Sequence, residues 1–373
     1  MGEARRGTPE GPDRPGPEID REGSEGRTLA ERFISAFQLP YALGCFLLGF
    51  IVFGFLNSLL AKYVESASLP QALQTAFSWQ FLAEDALFAY AFYAPRYMRR
   101  KLWETAHSVE ALLPAGSEGF RRAFAGISSA RPQVVTWVVF LGSLLVATNV
   151  PAILGGPSTI VFNLDSAFSP LEFFSSIFQI ISLAVVTLAL SSVVWTYYSV
   201  TRGIGRFSSA PLQLRPYYED AFLGLKPIGS LALSLATVYF GLIALFLLSL
   251  LTAPTAPSTA DIAGVGSFLF GLILVGVLNF FTPLRTLHGR MIAEKRAARA
   301  AFGSKLRTVF EDSSDPRPAD DIAHIFRVDM MDRKLASMAV WPYDIGILGR
   351  LSVIAASVTA ILISRILALI FHI

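Results

Sequence analysis

The stretch AFSWQFLAEDALFAYAFYAP, from Ala76 to Pro95, decides how this chain threads. It matches the roughly 20 helical residues that a hydrocarbon core demands and is thick with aromatic side chains, yet Glu84 and Asp85 stand near its middle. Two readings compete: a spanning helix that carries two carboxyl groups into lipid, or an amphipathic helix lying on the membrane surface. Arg96, Arg99, Arg100 and Lys101 follow at once, and a basic cluster directly after an apolar run marks a cytoplasmic stop. That cluster favours the span.

Six other stretches read as spans without ambiguity. They run approximately 41–61, 132–153, 171–198, 228–252, 263–283 and 347–371, each bounded by Pro, Gly or charge, as helix ends usually are. With 76–95 they predict an all-α, polytopic membrane protein of about seven transmembrane helices. In that threading the tail before residue 41 and the connectors 96–131, 199–227 and 284–350 lie on one side and hold 29 of the 31 Lys and Arg residues. The alternate connectors 63–75, 154–170 and 253–262 hold none. Lys and Arg collect in cytoplasmic loops, so the amino terminus is expected inside, the carboxyl terminus outside, and the protein in the cell membrane. If 76–95 lay flat, the tail would move outside; its six arginines are offset there by eight acidic residues, so that alternative stays open.

Composition agrees with a lipid-solvated fold. The charged fraction is 16%, the hydrophobic fraction 53% and the mean hydropathy +0.52, against about a quarter charged in a soluble domain. A net charge of +3 and the lack of a basic stripe beyond span flanks give no nucleic-acid partner. Cys45 is the only cysteine, so the chain cannot close a disulfide on itself. Residues 1–38 are rich in Gly, Pro, Glu and Arg with little to bury and are expected to be a disordered tail. Residues 39–373 then form a single helical membrane domain, with amphipathic helices within 96–131 and 284–345. Among these is a helix from Ile322 to Ala339, ending at Trp341-Pro342-Tyr343-Asp344, where Asp344 caps the last span. A further amphipathic lead-in is expected over 214–227. Ser267 and Gly271 form a small-xxx-small pair suited to close helix contact.

Ionisable groups inside spans are costly and are functional candidates by default. Glu84 and Asp85 are expected roughly 13 Å, and Arg365 roughly 9 Å, from the outer ends of their helices at 1.5 Å per residue. The similar depths predict that the second span packs near the last, with Arg365 paired to Glu84 or Asp85; snorkelling of Arg365 to the headgroups is the alternative. Asn149, Gln179 and Asn279 are the milder polar positions, expected to line a cavity or to mark plain proline kinks. There is no phosphate-binding G-x-x-x-x-G-K-[ST], no H-E-x-x-H and no G-x-S-x-G, and His107, His288, His324 and His372 are scattered. No metal, cofactor or enzymatic activity is therefore expected.

The odd span count, this orientation and the helical cytoplasmic segments lean to a stimulus- or ligand-responsive channel or receptor. Alternatives are a secondary transporter of a small solute through the Glu84–Asp85–Arg365 cluster, and a non-conducting scaffold in which those charges only fix packing. The expected partners are the lipid bilayer, possible further copies of the chain, and a small solute or ion of unspecified identity.

Overall fold

The computed structural model describes residues 27–153, 169–251, 259–312 and 318–371, and the described residues are helical with turns between them and no strand. The helices are α1 (Leu29–Ser35), α2 (Tyr41–Ser66), α3 (Leu69–Ala76), α4 (Trp79–Val109), α5 (Gly116–Phe124), α6 (Ala130–Ile153), α7 (Pro170–Ser209), α8 (Lys226–Leu251), α9 (Thr259–Asp312), α10 (Pro318–Ala336) and α11 (Ile345–Phe371). Five stretches are long and apolar enough to cross a bilayer: Tyr41–Ser66, Gly116–Val146, Pro170–Ser209, Lys226–Ser249 and Phe270–Ser304. This fits a helical, multi-pass membrane protein. Val135, Val138, Val139 and Val146 on α6 are exposed, a stripe of β-branched side chains that lipid, not water, would solvate.

Helix α4 occupies the centre. It packs on α2, α7 and α8, while α11 packs on α8 and α9, and α6 on α7. The contact between α2 and α4 is close because α2 presents glycine there. A Cβ on Gly49 would stand 2.7 Å from the Ala89 Cα, and one on Gly54 would stand 2.6 Å from Asp85 Oδ1. Cys45–Leu56 of α2 winds as a π-helix, whose i→i+5 bonding keeps step with glycines at 44, 49 and 54.

The tail expected to be disordered over 1–38 is ordered from residue 27 onward, and residues 1–26 lie outside the described residues. Thr28 and Glu31 close a capping box that starts α1, as Thr and Glu three apart do. Glu31 then reaches Arg99 of α4 at 2.9 Å, with both side chains buried. Gln133 of α6 accepts from the Leu29 N–H at 2.8 Å and donates to the Ile127 carbonyl at 2.8 Å. The apolar face of α1, Ala30 and Ile34 with Phe33 beside them, is buried against Phe53 and Phe92, but one turn of such spacing is too short to stand out from the polar tail before it.

The basic end of the bundle carries its own structure. Helix α10 is Pro318–Ala336 rather than Ile322–Ala339, and its last turn is held by Lys295, whose Nζ donates to the carbonyls of Ala336 and Met338 at 3.1 and 2.5 Å. The Trp341-Pro342-Tyr343-Asp344 turn docks on α8 and α9: Trp341 stacks on His288 with centroids 3.8 Å apart, and His288 Nδ1 lies 2.6 Å from the Val340 carbonyl. Asp344 caps α11 through the Ile347 N–H at 2.8 Å, as expected, and meets Lys226 at 2.8 Å. The lead-in expected at 214–227 is turn rather than helix before Lys226. There Asp220 accepts from the N–H groups of Phe222 and Gly224, offering the backbone the local alternative to helix that Asp often supplies. A Cβ on Gly271 would meet nothing within 4 Å among the described residues, so Gly271 itself makes no close helix contact there.

Breaking a buried pair leaves one uncompensated charge, typically at about 3–5 kcal/mol. Glu31→Gln and Arg99→Gln are each expected to destabilise the protein on that scale in detergent thermal unfolding. Glu31→Leu combined with Arg99→Met is expected to recover most of the loss. Separately, the Lys226 ammonium, then the Ile347 N–H, hold the Asp344 carboxyl below its ordinary value. The stability this adds is fully present above the unfolded value of about 4 and is lost as pH falls through the lower folded value. Asp344→Asn is expected to remove that acid-side dependence by lowering neutral-pH melting to the level the unaltered chain reaches in acid, a small drop because the pair is partly exposed.

Candidate functional site

Where α4 passes between α2 and α7, the three helices part around a cavity of about 400 Å³. Its polar lining comes from Asn57, Ser58 and Lys62 on α2, Glu84 on α4, and Ser176, Gln179 and Ser182 on α7. Phe53, Phe81 and Phe88 supply much of the apolar wall. The spacing explains the gathering: Phe81, Glu84 and Phe88 lie three and four residues apart, one face of a helix, as do Ser176, Gln179 and Leu183. Helix α7 is set in place by the Ser169–Glu172 capping box with Pro170 in its first turn.

The hydrogen-bonding state of the cavity is uneven. Lys62 Nζ is engaged by Glu65 at 2.6 Å, and Gln179 Nε2 donates to Ser175 Oγ at 3.2 Å. Asn57 Oδ1 and Ser182 Oγ are buried without a hydrogen-bond partner, and Glu84 makes no hydrogen bond or ion pair among the described residues. Buried polar groups are nearly always satisfied, and an orphan group lining a cavity of this size is a place for a ligand or water.

Asp85, one position on, points about 100° away and lies outside the cavity. It is fully buried, and neither of its carboxyl oxygens has a hydrogen-bond partner. The close approach of Gly54 makes room for it. The two acids thus have different surroundings, one lining a cavity and one sealed in a helix contact.

Of the other residues singled out from sequence, Gln179 joins the cavity with Glu84. Asn279 is half-buried on α9 and does not line it. Asn149 and Arg365 have side chains outside the described residues. Of the second and last spans, α4 packs chiefly on α2, α7 and α8, and α11, which carries Arg365, chiefly on α8 and α9; Tyr97 of α4 lines one recess with Gly349, Arg350 and Val353 of α11. A buried carboxylate–guanidinium contact does occur on α4, but it joins Arg99 to Glu31. Asn57, Ser182 and Lys62 were not anticipated as cavity residues. Their signal was in the sequence as positions facing Glu84 across neighbouring helices, but only the packing reveals which face is which.

Overpacking a tight contact typically costs about 1–3 kcal/mol. Gly54→Ala is expected to lower thermal stability on that scale, because the new methyl meets the Asp85 carboxyl. Combined with Asp85→Ala it is expected to become neutral or stabilising, a non-additivity that a double-mutant cycle in detergent reads directly.

No known family model, curated protein or solved structure matches the chain, so the reading of its site rests on its own residues.

Proposed function

We propose that this is a seven-span protein of the cell membrane, amino terminus in the cytoplasm and carboxyl terminus outside, that receives a small polar solute in the Glu84 cavity and responds to it as a ligand-sensitive receptor or channel subunit. The observation that carries the reading is the cavity itself, with Glu84, Asn57 and Ser182 offering polar groups that the chain leaves unpaired.

The span count adds α4 and α11 to the five long apolar helices. For α4, burial of Ala83, Asp85, Ala91, Phe92 and Ala94 among three neighbouring helices supports a crossing over a helix lying flat. Accumulation of Lys and Arg at the opposite end from Lys62 supports the orientation, and places the cavity in the outer half.

Response, as opposed to mere binding, is supported by what lies beneath. The cavity's inner wall includes Phe53 and Val186, which belong to a packed cluster with Phe92, Leu48, Cys45 and Ile34. Helix α2 therefore runs from the solute site, through this aromatic floor, to α1 and the Glu31–Arg99 pair. A solute that moves α2 moves its contacts at both ends. A carrier is the second reading, favoured by Asp85, a sealed carboxyl group with no counter-charge and suited to hold a coupling proton.

In a Cys45→Ser background, Ser58→Cys, at a partly exposed position of the cavity lining, is expected to react with a membrane-impermeant methanethiosulfonate ammonium reagent added outside sealed right-side-out vesicles. Reaction only from the inside would overturn the orientation. Failure to react from either side, with a cysteine at Ser176 equally silent, would overturn the wet cavity.

A further inference from the structure

We infer that the solute of this cavity is a compact amphiphilic organic cation, an ammonium or guanidinium head on an apolar, preferably aromatic, body. The inference rests on the cavity reading above and adds the chemical class of what fills it.

The argument is one of donors and acceptors. The cavity's cation, Lys62, is already engaged by Glu65, and the Gln179 amide donates within its own helix. What the cavity leaves unpaired is the Glu84 carboxyl and Asn57 Oδ1, both acceptors, and the Ser182 hydroxyl, which can accept or donate and whose residue is 2% exposed. An ionised carboxyl in a span is costly unless a counter-charge is supplied, and Lys62, the cation lining this cavity, is set against Glu65 rather than against Glu84. A ligand that brings N–H donors and a positive charge satisfies all three groups together. A carboxylate or phosphate would instead face the Glu84 carboxyl.

The apolar side of the site fits the rest of such a molecule. Phe53, Phe81 and Phe88 line the same cavity and offer apolar contact to an aromatic body; Lys62 Nζ already stands 5.9 Å from the Phe81 ring centroid, so this wall meets a cation within the chain itself. At about 400 Å³, the space falls at the lower end of ordinary small-molecule sites. Asp85, sealed behind Glu84 against Gly54, adds a second acidic group to the field without reaching the ligand, and any charge it carries favours a cation further.

Three probes of nearly one shape decide the matter: phenethylammonium, its neutral counterpart 2-phenylethanol and its anionic counterpart phenylacetate. Thermal unfolding of the full chain in detergent, followed by its own tryptophan fluorescence, reads their binding. Phenethylammonium is expected to raise the unfolding temperature saturably, with the other two at least about tenfold weaker, a gap of one charge-assisted contact. Glu84→Gln is expected to weaken the amine about tenfold or more and to leave 2-phenylethanol unchanged. Equal or stronger stabilisation by the alcohol or the anion would overturn the cationic class while leaving the cavity reading intact. So would the absence of stabilisation by all three in a protein whose Ser58→Cys or Ser176→Cys variant still reacts from outside. If none stabilises and both of those cysteines are silent from both sides, both readings fall. The comparison of probes on the unmodified chain stands even where Glu84→Gln does not fold.

Discussion

The structure depends on how closely α2 can approach α4. Within lipid, helices gain little from hiding apolar surface, since the solvent is as apolar as they are; association comes from packing and from polar contacts. Gly49 and Gly54 let the backbone of α2 settle against Ala89 and Asp85 at distances no side chain would permit. That approach seals Asp85, fixes the rotation of α4 and thereby turns Glu84 to the other side. Without it the two acids would have no reason to differ. Helix α7 completes the arrangement, anchored to α6 by the Trp137 indole, which donates to the Ala184 carbonyl and to Thr187 Oγ1 at 3.1 and 3.2 Å.

Polar contacts then hold the basic end. Glu31 serves two tasks, completing the cap of α1 and pairing with Arg99, so a seven-residue helix too short to persist alone is fixed to the bundle. On the other flank, His288 and Trp341 come together from separate segments, and Lys226 and Asp344 join the starts of α8 and α11. Two phrases that stand out in the sequence, Pro283–His288 and Trp341–Asp344, turn out to be two halves of one contact.

How much of this was legible beforehand divides along a physical line. Long apolar runs and the helical class follow from lipid solvation, which acts on each segment independently, and so could be read residue by residue. The capping of α11 by Asp344 was legible for the same reason, being local. Which helices touch is a collective property. Depth alone points Arg365 towards Glu84 or Asp85, a pairing whose Arg365 side chain lies outside the described residues; depth says nothing of azimuth, and α8 packs against both of the helices concerned. The ordered α1 is hard to read from sequence because its apolar spacing, Ala30, Phe33 and Ile34, spans little more than one turn and follows a tail with nothing to bury. The turn at 214–227 was misread because its apolar spacing resembles a helix, while Pro216 and Asp220 set the backbone otherwise. The glycines at 44, 49 and 54 were visible but carry meaning only for a helix wound with five residues between bonded partners.

Helix α9 runs unbroken from Thr259 to Asp312, 54 residues, which at 1.5 Å per residue is roughly 80 Å. The hydrocarbon core takes about 30 Å of that, so something near half of the rod stands clear of the lipid at the basic end. A rod pivoting near Pro283, where it meets the Tyr343 ring through Phe280 and Phe281, is a lever with a long outer arm. By geometry alone, a tilt of about 5° would sweep the far tip through roughly 3–4 Å over an arm of about 40 Å, turning a small rearrangement among packed side chains into a displacement large enough for another molecule to sense.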